Sequence, residues 1–125
     1  MNISGRTKLF PIIGDPVAGV VSPPAVNAWF EANAVDACMM PLNIPASYIT
    51  GFWDMLRASN TFLGCSITYP HKQSAYAQVD TMTERATRLG ALNTVRRADD
   101  GSLCGDATDG TALLQAIGQA GARVN

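Results

Sequence analysis

The sequence predicts an α/β domain with three layers, in which a mostly parallel sheet of about five strands carries helices on both faces. Short apolar runs of strand length alternate along the chain with longer segments whose apolar residues recur at helical spacing. Glycine and proline mark several of the boundaries between the two kinds of segment. Because strands joined through helices normally run parallel, this alternation indicates a sheet that is covered on both sides.

The predicted elements follow one another without internal repeats or low-complexity segments. The predicted strands lie at 9–13, 37–44, 63–68, 91–95 and 103–106. The predicted helices lie at 23–33, about 45–56, about 71–79, 83–89 and 110–120.

In the first half of the chain, proline and serine set the boundaries. Pro11 lies inside the first apolar run and has no N–H for a ladder, so it indicates an edge position or a strand end. Gly14 closes that run. Ser22 is the expected N-cap of the first helix, with Pro23 at its first helical position.

In the second half, the central feature is the segment 63–72. Leu63, Cys65 and Ile67 alternate with small or polar residues, which is typical of a strand. Pro70 ends that strand, so polar residues follow at its carboxyl tip. Farther on, a turn that ends in Asp-Gly at 100–101 predicts a hairpin.

Composition limits the classes of function. A chain of 125 residues with a net charge of −1 is at most one domain, and nothing in it favours a nucleic-acid or acidic-membrane partner. No apolar run approaches the ~20 residues needed to span a bilayer, and the N-terminus lacks the apolar core of a signal peptide. We therefore expect a cytoplasmic protein whose partner is a small molecule.

The cysteines favour the same compartment. Cys38, Cys65 and Cys104 are widely spaced, and each falls in a predicted strand. They are interpreted as small buried hydrophobic residues in a reducing environment. With one histidine and no close cysteine pair, the sequence does not favour a metal site.

Four polar segments, 14–23, 68–72, 90–94 and 108–110, lie where a site could form, because ligands of open α/β sheets bind at the carboxyl ends of strands. Each polar residue also has a structural interpretation. Ser22 and Asp109 suit helix N-caps, and Asn93 could tie a loop to backbone. Thr68 suits a strand, and Lys72 suits a solvated surface. His71, the one histidine, is interpreted as structural or solvated.

Taken together, the four segments resemble the substrate-binding domain of the shikimate dehydrogenase family. The family's G-N-P-x-x-H-S-x-S-P corresponds to G-D-P-V-A-G-V-V-S-P at 14–23, and its N-V-T-x-P-H-K to S-I-T-Y-P-H-K at 66–72. Its G-A-x-N-T corresponds to G-A-L-N-T at 90–94, and its N-T-D-G to A-T-D-G at 107–110. Order and spacing agree across nearly the whole chain.

The resemblance implies the reduction of 3-dehydroshikimate to shikimate with a nicotinamide cofactor, usually NADPH. It implies that Lys72 takes part in proton transfer and substrate orientation, with Asp109 as its partner carboxylate. Thr68 and Asn93 match residues that hydrogen-bond the substrate hydroxyls. Ser22 matches the second of two serines that hold the substrate carboxylate. A proton donor is chemically sensible because hydride addition to a ketone builds an alkoxide.

The departures from the family pattern fall in the carboxylate-binding segment. Val20 stands where the family has the first of its two serines, and Gly19 stands where it has histidine. Losing one charge-assisted hydrogen bond of about 1.5–3 kcal/mol would weaken binding of shikimate roughly ten- to a hundred-fold. The hypothesis is that the substrate is a related hydroxylated ring acid, such as quinate, or another hydroxylated cyclic compound.

The resemblance also implies a second domain. We expect 1–120 to be the substrate-binding domain and 121–125 to begin a cofactor-binding domain that this chain lacks. That domain would bind NADP or NAD, because no G-x-G-x-x-G loop is present here. The chain is then a fragment or a stand-alone remnant that transfers no hydride alone. A return helix would also be missing, and the apolar face it leaves could pair two copies as a homodimer.

One alternative of a different class stays open. The chain could be a non-catalytic small-molecule binding or regulatory module that kept the fold and lost the chemistry. The altered carboxylate-binding segment and the lack of a cofactor site favour this alternative, whereas the presence of both Lys72 and Asp109 favours the enzyme.

Overall fold

A computed structural model of the chain describes residues 1–108. The predicted helix at 110–120, the segment 121–125 and Asp109 lie outside the described residues. The strands are β1 (Lys8–Leu9), β2 (Ile12–Gly14), β3 (Ala37–Cys38), β4 (Pro41–Asn43), β5 (Gly64–Ile67), β6 (Thr81–Met82), β7 (Thr94–Arg97) and β8 (Leu103–Asp106). The helices are α1 (Ser22–Ala32), α2 (Ile49–Ala58), α3 (Lys72–Gln78) and α4 (Glu84–Leu89), with a 3₁₀ turn at Ala46–Tyr48.

The main sheet has the strand order β4-β2-β5-β7-β8-β6, and β1 and β3 form a parallel pair beside it. β2 pairs in parallel with β4 and β5, and β6 pairs in parallel with β8. β7 is antiparallel to both of its neighbours. Five of the six strands therefore run in one direction, which confirms the mostly parallel α/β prediction with one strand reversed.

Helices cover both faces of the sheet, as predicted. On one face, Phe52, Trp53 and Leu56 of α2 and Ala75 of α3 belong to a buried cluster with Ile13 of β2. We call it the α2-face cluster. On the other face, an α1-face cluster joins α1 to the first strands, and its buried members are Phe10, Ile12, Val26, Phe30, Ala37, Met39 and Leu63.

Pro11 lies between β1 and β2, directly before the first residue of β2, so the prediction of a strand end is confirmed. The alternative of an edge position is wrong, because β2 lies between β4 and β5. A β-bulge at the start of the adjacent strand, β5, explains how Pro11 fits there. Leu63 N–H donates to Leu9 C=O, and Ser66 N–H donates to Pro11 C=O, so the β5 side contains one extra residue. The Leu63 carbonyl accepts instead from Arg97 N–H of β7 at 2.9 Å, so no acceptor is left facing the proline ring.

The bulge also corrects the predicted alternation of the 63–68 strand. Leu63 packs in the α1-face cluster, whereas Cys65 and Ile67 pack in the α2-face cluster. The extra residue is Gly64, whose φ of +150° few other residues adopt. A simple period of two therefore placed Leu63 on the wrong face of the sheet.

The hairpin turn and the end of α4 were predicted correctly, whereas the cap at Thr83 was not predicted. The 98–102 turn joins β7 to β8 as a hairpin, with Ala98 N–H donating to Ser102 C=O. Thr83 caps α4 by accepting a hydrogen bond from Ala86 N–H, and Gly90 ends that helix with a φ of +65°. The two-residue β6 was not predicted, because it is too short to give a periodic signal.

Two other expectations need correction. Ser22 is the first residue of α1 rather than its N-cap, and Val21 caps that helix without a side-chain hydrogen bond. Cys38 and Cys65 are buried as expected, but Cys104 is only half-buried. Among residues 1–108, no helix has the length and apolar character that a membrane crossing requires.

Candidate functional site

The predicted site segments meet at one edge of the sheet. The strands β2, β4, β5 and β8 end at this edge, and the reversed β7 begins there. Asp15 follows β2, Thr68 follows β5, Asn93 precedes β7, and Thr108 follows β8. This is the edge at which open α/β sheets bind ligands.

The loops after β2 and β5 are in direct contact because Gly14 has no side chain. A Cβ at Gly14 would lie 2.4 Å from Thr68 Cγ2 and 3.0 Å from the Tyr69 carbonyl oxygen. The Asp15 N–H donates to that same Tyr69 carbonyl at 3.0 Å. The peptides Asp15–Pro16 and Tyr69–Pro70 are both cis. A glycine at this position is therefore what lets Thr68 approach the loop after β2.

Asn93 joins β5, β7 and the chain after β8. Its side-chain oxygen accepts from the Thr108 N–H at 3.1 Å, and its Nδ2 donates to the Thr108 carbonyl at 2.9 Å. Its backbone carbonyl accepts from Ile67 N–H, one residue before Thr68. Asn93 thus ties a loop to backbone, as its structural interpretation held, and it fixes Thr108, the residue before Asp109 in sequence. These contacts use one of the two N–H donors of its amide.

Lys72 and Thr68 have polar groups without partners among residues 1–108. Lys72 is the first residue of α3, and its exposed ammonium group forms no ion pair with any other described residue. Thr68 is half-buried, and its hydroxyl forms no hydrogen bond within the described part of the chain. Both groups are therefore available to a bound ligand, in contrast to the occupied Asn93 side-chain oxygen.

Ser22 and Val20 lie on the α1 side of the loop after β2. The Ser22 hydroxyl has Met39 Sδ, a weak acceptor, as its partner at 3.7 Å. Because Ser22 does not cap α1, its hydroxyl is not occupied by the helix. Val20 is half-buried and packs against the α1-face cluster. No contact between described residues joins either side chain to Thr68 or Asn93.

Two residues that hold this edge together were not predicted from the sequence as site residues. Asn43, at the end of β4, donates to Asp15 Oδ1 at 3.2 Å and accepts from Val17 N–H at 3.2 Å, so it fixes the loop after β2. His71 is buried and its Nε2 donates to the Ile44 carbonyl at 2.6 Å, which links the loops after β4 and β5. The structural interpretation of His71 therefore fits this geometry.

Asp106, at the end of β8, is a buried carboxylate that the sequence did not single out. Arg85 binds both of its oxygens, at 3.0 and 2.9 Å from Nη2, and the Thr83 hydroxyl donates to it at 2.8 Å. Burial alone would raise the pKa of Asp106, but these hydrogen bonds outweigh it, and the pKa lies below its ordinary value. Asp106 Oδ1 also accepts from Ala107 N–H at 2.8 Å, so the ionised group sets the start of the 107–108 segment.

The described residues do not fit a dinucleotide. A pyrophosphate group is normally held by free N–H groups at the start of a helix that follows a glycine-rich turn. Here α1 begins Ser22-Pro23-Pro24, and the two prolines remove N–H donors from its first turn. The arrangement of Lys72, Thr68 and Asn93 instead suits a small ligand with several oxygen atoms.

Comparison with known proteins identifies relatives across almost the whole chain. A family model described as the shikimate dehydrogenase substrate binding domain matches residues 12–95. A shikimate dehydrogenase (NADP(+)) from Rubrobacter xylanophilus is 40% identical over 119 residues, which are 95% of this chain and 42% of that relative.

Solved structures share the fold. Shikimate 5-dehydrogenase from Listeria monocytogenes, in complex with shikimate and NAD, matches with a TM-score of 0.79 at 29% identity. That match covers 97% of this chain and 41% of the other. The 5-ketofructose reductase of Gluconobacter sp. strain CHM43 matches with a TM-score of 0.77 at 25% identity, covering 93% of this chain and 41% of the reductase. The chain thus spans about two fifths of the length of the relatives it matches.

Proposed function

Because this chain belongs to the family of shikimate dehydrogenase substrate-binding domains, we propose that it is the substrate-binding part of an NADP- or NAD-dependent oxidoreductase. The substrate would be 3-dehydroshikimate, giving shikimate, or a related hydroxylated ring compound such as quinate. We assign 1–120 to this domain and 121–125 to the start of a cofactor-binding domain. The chain alone would bind substrate without transferring hydride.

The meeting of three loops at one sheet edge is the observation that carries this proposal. Gly14 lets the loop after β2 touch Thr68, and Asn93 ties the loop before β7 to Thr108. Polar side chains that are distant in sequence are thereby held around one space at the edge where α/β sheets bind ligands. Lys72, the first residue of α3 after the loop that contains Thr68, would supply a cation to this space.

Each residue has a separate task in the proposed reaction. The Lys72 ammonium group would bind the substrate oxygen that becomes an alkoxide and would give it a proton. Asp109 is proposed as the carboxylate partner of Lys72. The Thr68 hydroxyl and the Asn93 amide would orient ring hydroxyls, and the Ser22 hydroxyl would bind a carboxylate. The cofactor would be held outside residues 1–108, since these do not fit a dinucleotide.

We propose that the substrate differs from shikimate, because Val20 stands where a hydroxyl would bind the carboxylate. Val20 packs against the α1-face cluster and offers no hydrogen bond. The 5-ketofructose reductase of Gluconobacter, whose name gives a keto-sugar as substrate, shares this fold at 25% identity. The fold is therefore compatible with polyol substrates beyond shikimate.

Replacing Lys72 tests the site. We expect Lys72→Met to weaken the binding of 3-dehydroshikimate, shikimate or quinate about ten- to a hundred-fold, because a charge-assisted hydrogen bond of ~1.5–3 kcal/mol is lost. Calorimetric titration of the 125-residue chain measures this effect. The control is Arg88→Met, which removes an exposed positive charge from α4. Equal affinities in Lys72→Met and the unchanged chain would contradict the proposed site.

Restoring a hydroxyl tests the specificity. We expect Val20→Ser to tighten shikimate binding about ten-fold or more, because a second hydroxyl becomes available to the carboxylate. Shikimic acid methyl ester, which lacks the charge, should gain much less. If the unchanged chain already binds shikimate as tightly as Val20→Ser does, the altered-specificity proposal is wrong. If neither protein binds any of these ring compounds, the non-catalytic module becomes the better interpretation.

We also propose a cytoplasmic location and self-association. A cytoplasmic location fits three cysteines that form no disulfide bond in the structure. We propose a homodimer that pairs through the apolar face left by the missing return helix. Size-exclusion chromatography with light scattering would measure the molar mass of the assembly.

A further inference from the structure

A cleft lies at the sheet edge opposite the candidate site. It has a volume of about 570 Å³, which is within the usual range for small-molecule sites. Phe62 and Leu63 line it just before β5, Ser102 just before β8, and Arg96 near the end of β7. Because the proposed substrate site is at the other ends of these strands, this cleft is a separate place on the molecule.

The lining of the cleft is positively charged. Lys8 and Arg96 contribute cations, and Asp99 is the one carboxylate among the described lining residues. Arg97 also lines the cleft, but its Nε donates to Leu56 C=O and its Nη2 to Arg57 C=O, both at 2.8 Å, so its guanidinium group is already bound to α2 and is not counted toward the ligand. Lys8 Nζ donates to Asn60 C=O at 2.9 Å, which leaves two of its three hydrogens for another acceptor.

Arg96 has N–H donors for which the described part of the chain offers no oxygen acceptor. Its Nε is buried and has no hydrogen-bond partner, the one such side-chain nitrogen or oxygen atom found in the described residues. Its Nη2 has Cys104 Sγ as a neighbour at 4.0 Å, which is a weak acceptor at the limit of contact. A buried donor without an acceptor is costly, and most such groups in proteins are satisfied by water or a ligand.

We propose that this cleft binds a small solute that carries an oxyanion, with Arg96 as its principal ligand and Lys8 as a second cation. A planar guanidinium group with free N–H donors binds a tetrahedral or carboxylate oxyanion through two parallel hydrogen bonds. Ser102, the residue before β8, lines the same cleft. The anion would give the Arg96 guanidinium group an acceptor that the described residues do not provide, and it would balance the excess positive charge of the lining.

Titration of the 125-residue chain with inorganic phosphate tests the proposal. Amide NMR spectra are recorded at constant ionic strength while phosphate replaces chloride. They should show saturable shifts that are confined to residues around Arg96 and the 98–102 turn. We expect Arg96→Gln to weaken phosphate binding about ten-fold or more, since the bidentate ligand is lost. The matched control is Arg88→Gln on α4, which removes the same charge from an exposed position and should change affinity less than about two-fold.

Two further variants separate specific binding from simple charge. Arg96→Lys keeps the charge but loses Nε, and it should bind phosphate nearly as poorly as Arg96→Gln. Lys8→Gln should weaken binding by a smaller factor. A parallel titration with succinate distinguishes a carboxylate ligand from a phosphate ligand, because the preferred anion will saturate at the lower concentration.

Thermal unfolding supplies a second readout. Phosphate should raise the melting temperature of the unchanged chain and of Arg88→Gln, but not of Arg96→Gln, because a ligand stabilises only a protein that binds it. Without phosphate, Arg96→Gln should be at least as stable as the unchanged chain, since an unsatisfied buried donor has been removed. Phosphate and succinate shifts scattered over all basic residues, or equal affinities in Arg96→Gln and Arg88→Gln, would overturn the proposal.

Discussion

Gly64→Ala is expected to destabilise the domain by at least about 3 kcal/mol, at the upper end of single substitutions. A Cβ at Gly64 would lie 2.0 Å from the Val95 carbonyl oxygen and 3.0 Å from the Arg96 Cα. These are backbone atoms of the neighbouring strand, so no side-chain rotation can relieve the clash. The φ of +150° adds backbone strain for any residue with a side chain.

Urea denaturation followed by circular dichroism measures this effect, and another glycine provides the control. Gly51 is the third residue of α2, where an added Cβ would meet nothing within 4 Å. Gly51→Ala should therefore stabilise the domain by about 0.5–1 kcal/mol, because alanine favours a helix more than glycine does. A Gly64→Ala variant as stable as the unchanged chain would show that the strands at the bulge are spaced differently.

Asp106→Asn is expected to cost about 2–3 kcal/mol at neutral pH. The substitution keeps the size of the side chain but removes the charge that receives hydrogen bonds from Arg85 and Thr83. Since Arg85 is itself partly exposed, water compensates for some of the loss on its side of the ion pair. The start of the 107–108 segment also loses its anchor, so the proposed ligand site should weaken together with the fold.

The pH dependence gives a second check on Asp106. Its pKa in the folded state is below the ordinary value of 3.8, so the unfolded chain takes up the proton first as the pH falls. The stabilisation is therefore fully present above about pH 4–5 and is lost as the pH falls through the folded pKa. Denaturation curves from pH 7 to pH 3 should show the difference between the unchanged chain and Asp106→Asn shrinking at the acid end. Asp54→Asn, an exposed change on α2, should show little difference at any pH. A constant difference across that range would contradict the assignment to the carboxylate charge.

The sequence predicted much of the fold because its signals were local. Helical spacing places α1, Gly90 places the end of α4, and the Asp-Gly turn places the β7–β8 hairpin. The hairpin predicted that β7 and β8 are antiparallel, but which of the two is reversed in the sheet was not predictable, since an alternating apolar pattern reads the same in either direction. The bulge was missed for a different reason. Pro11 and Gly64 are far apart in sequence, and only the pairing of their two strands shows that the extra residue at Gly64 makes room for the proline.

The sequence identified several polar residues of the candidate site but did not predict their hydrogen bonds. The sequence singled out Asn93 and Thr68, and the structure shows that the first is tied to Thr108 while the hydroxyl of the second has no partner among residues 1–108. Asn43 and Asp106 have no distinctive local pattern, because their partners lie in other elements. The roles of Lys72 and Asp109 in proton transfer stay predictions.

The extra residue at Gly64 has a consequence for how the length of this chain can vary. It interrupts the alternation of side chains between the two faces, since Leu63 and Cys65 are two residues apart and yet face opposite sides of the sheet. Neighbouring residues of a regular strand face opposite sides, so removing Gly64 itself would leave Leu63 and Cys65 on their present faces. Removing a different residue of the strand would instead turn the residues on one side of the deletion to the other face. The 98–102 turn has no such constraint, so insertions are expected there among relatives, whereas within 62–68 the bulge residue is the one whose loss keeps the facing of its neighbours.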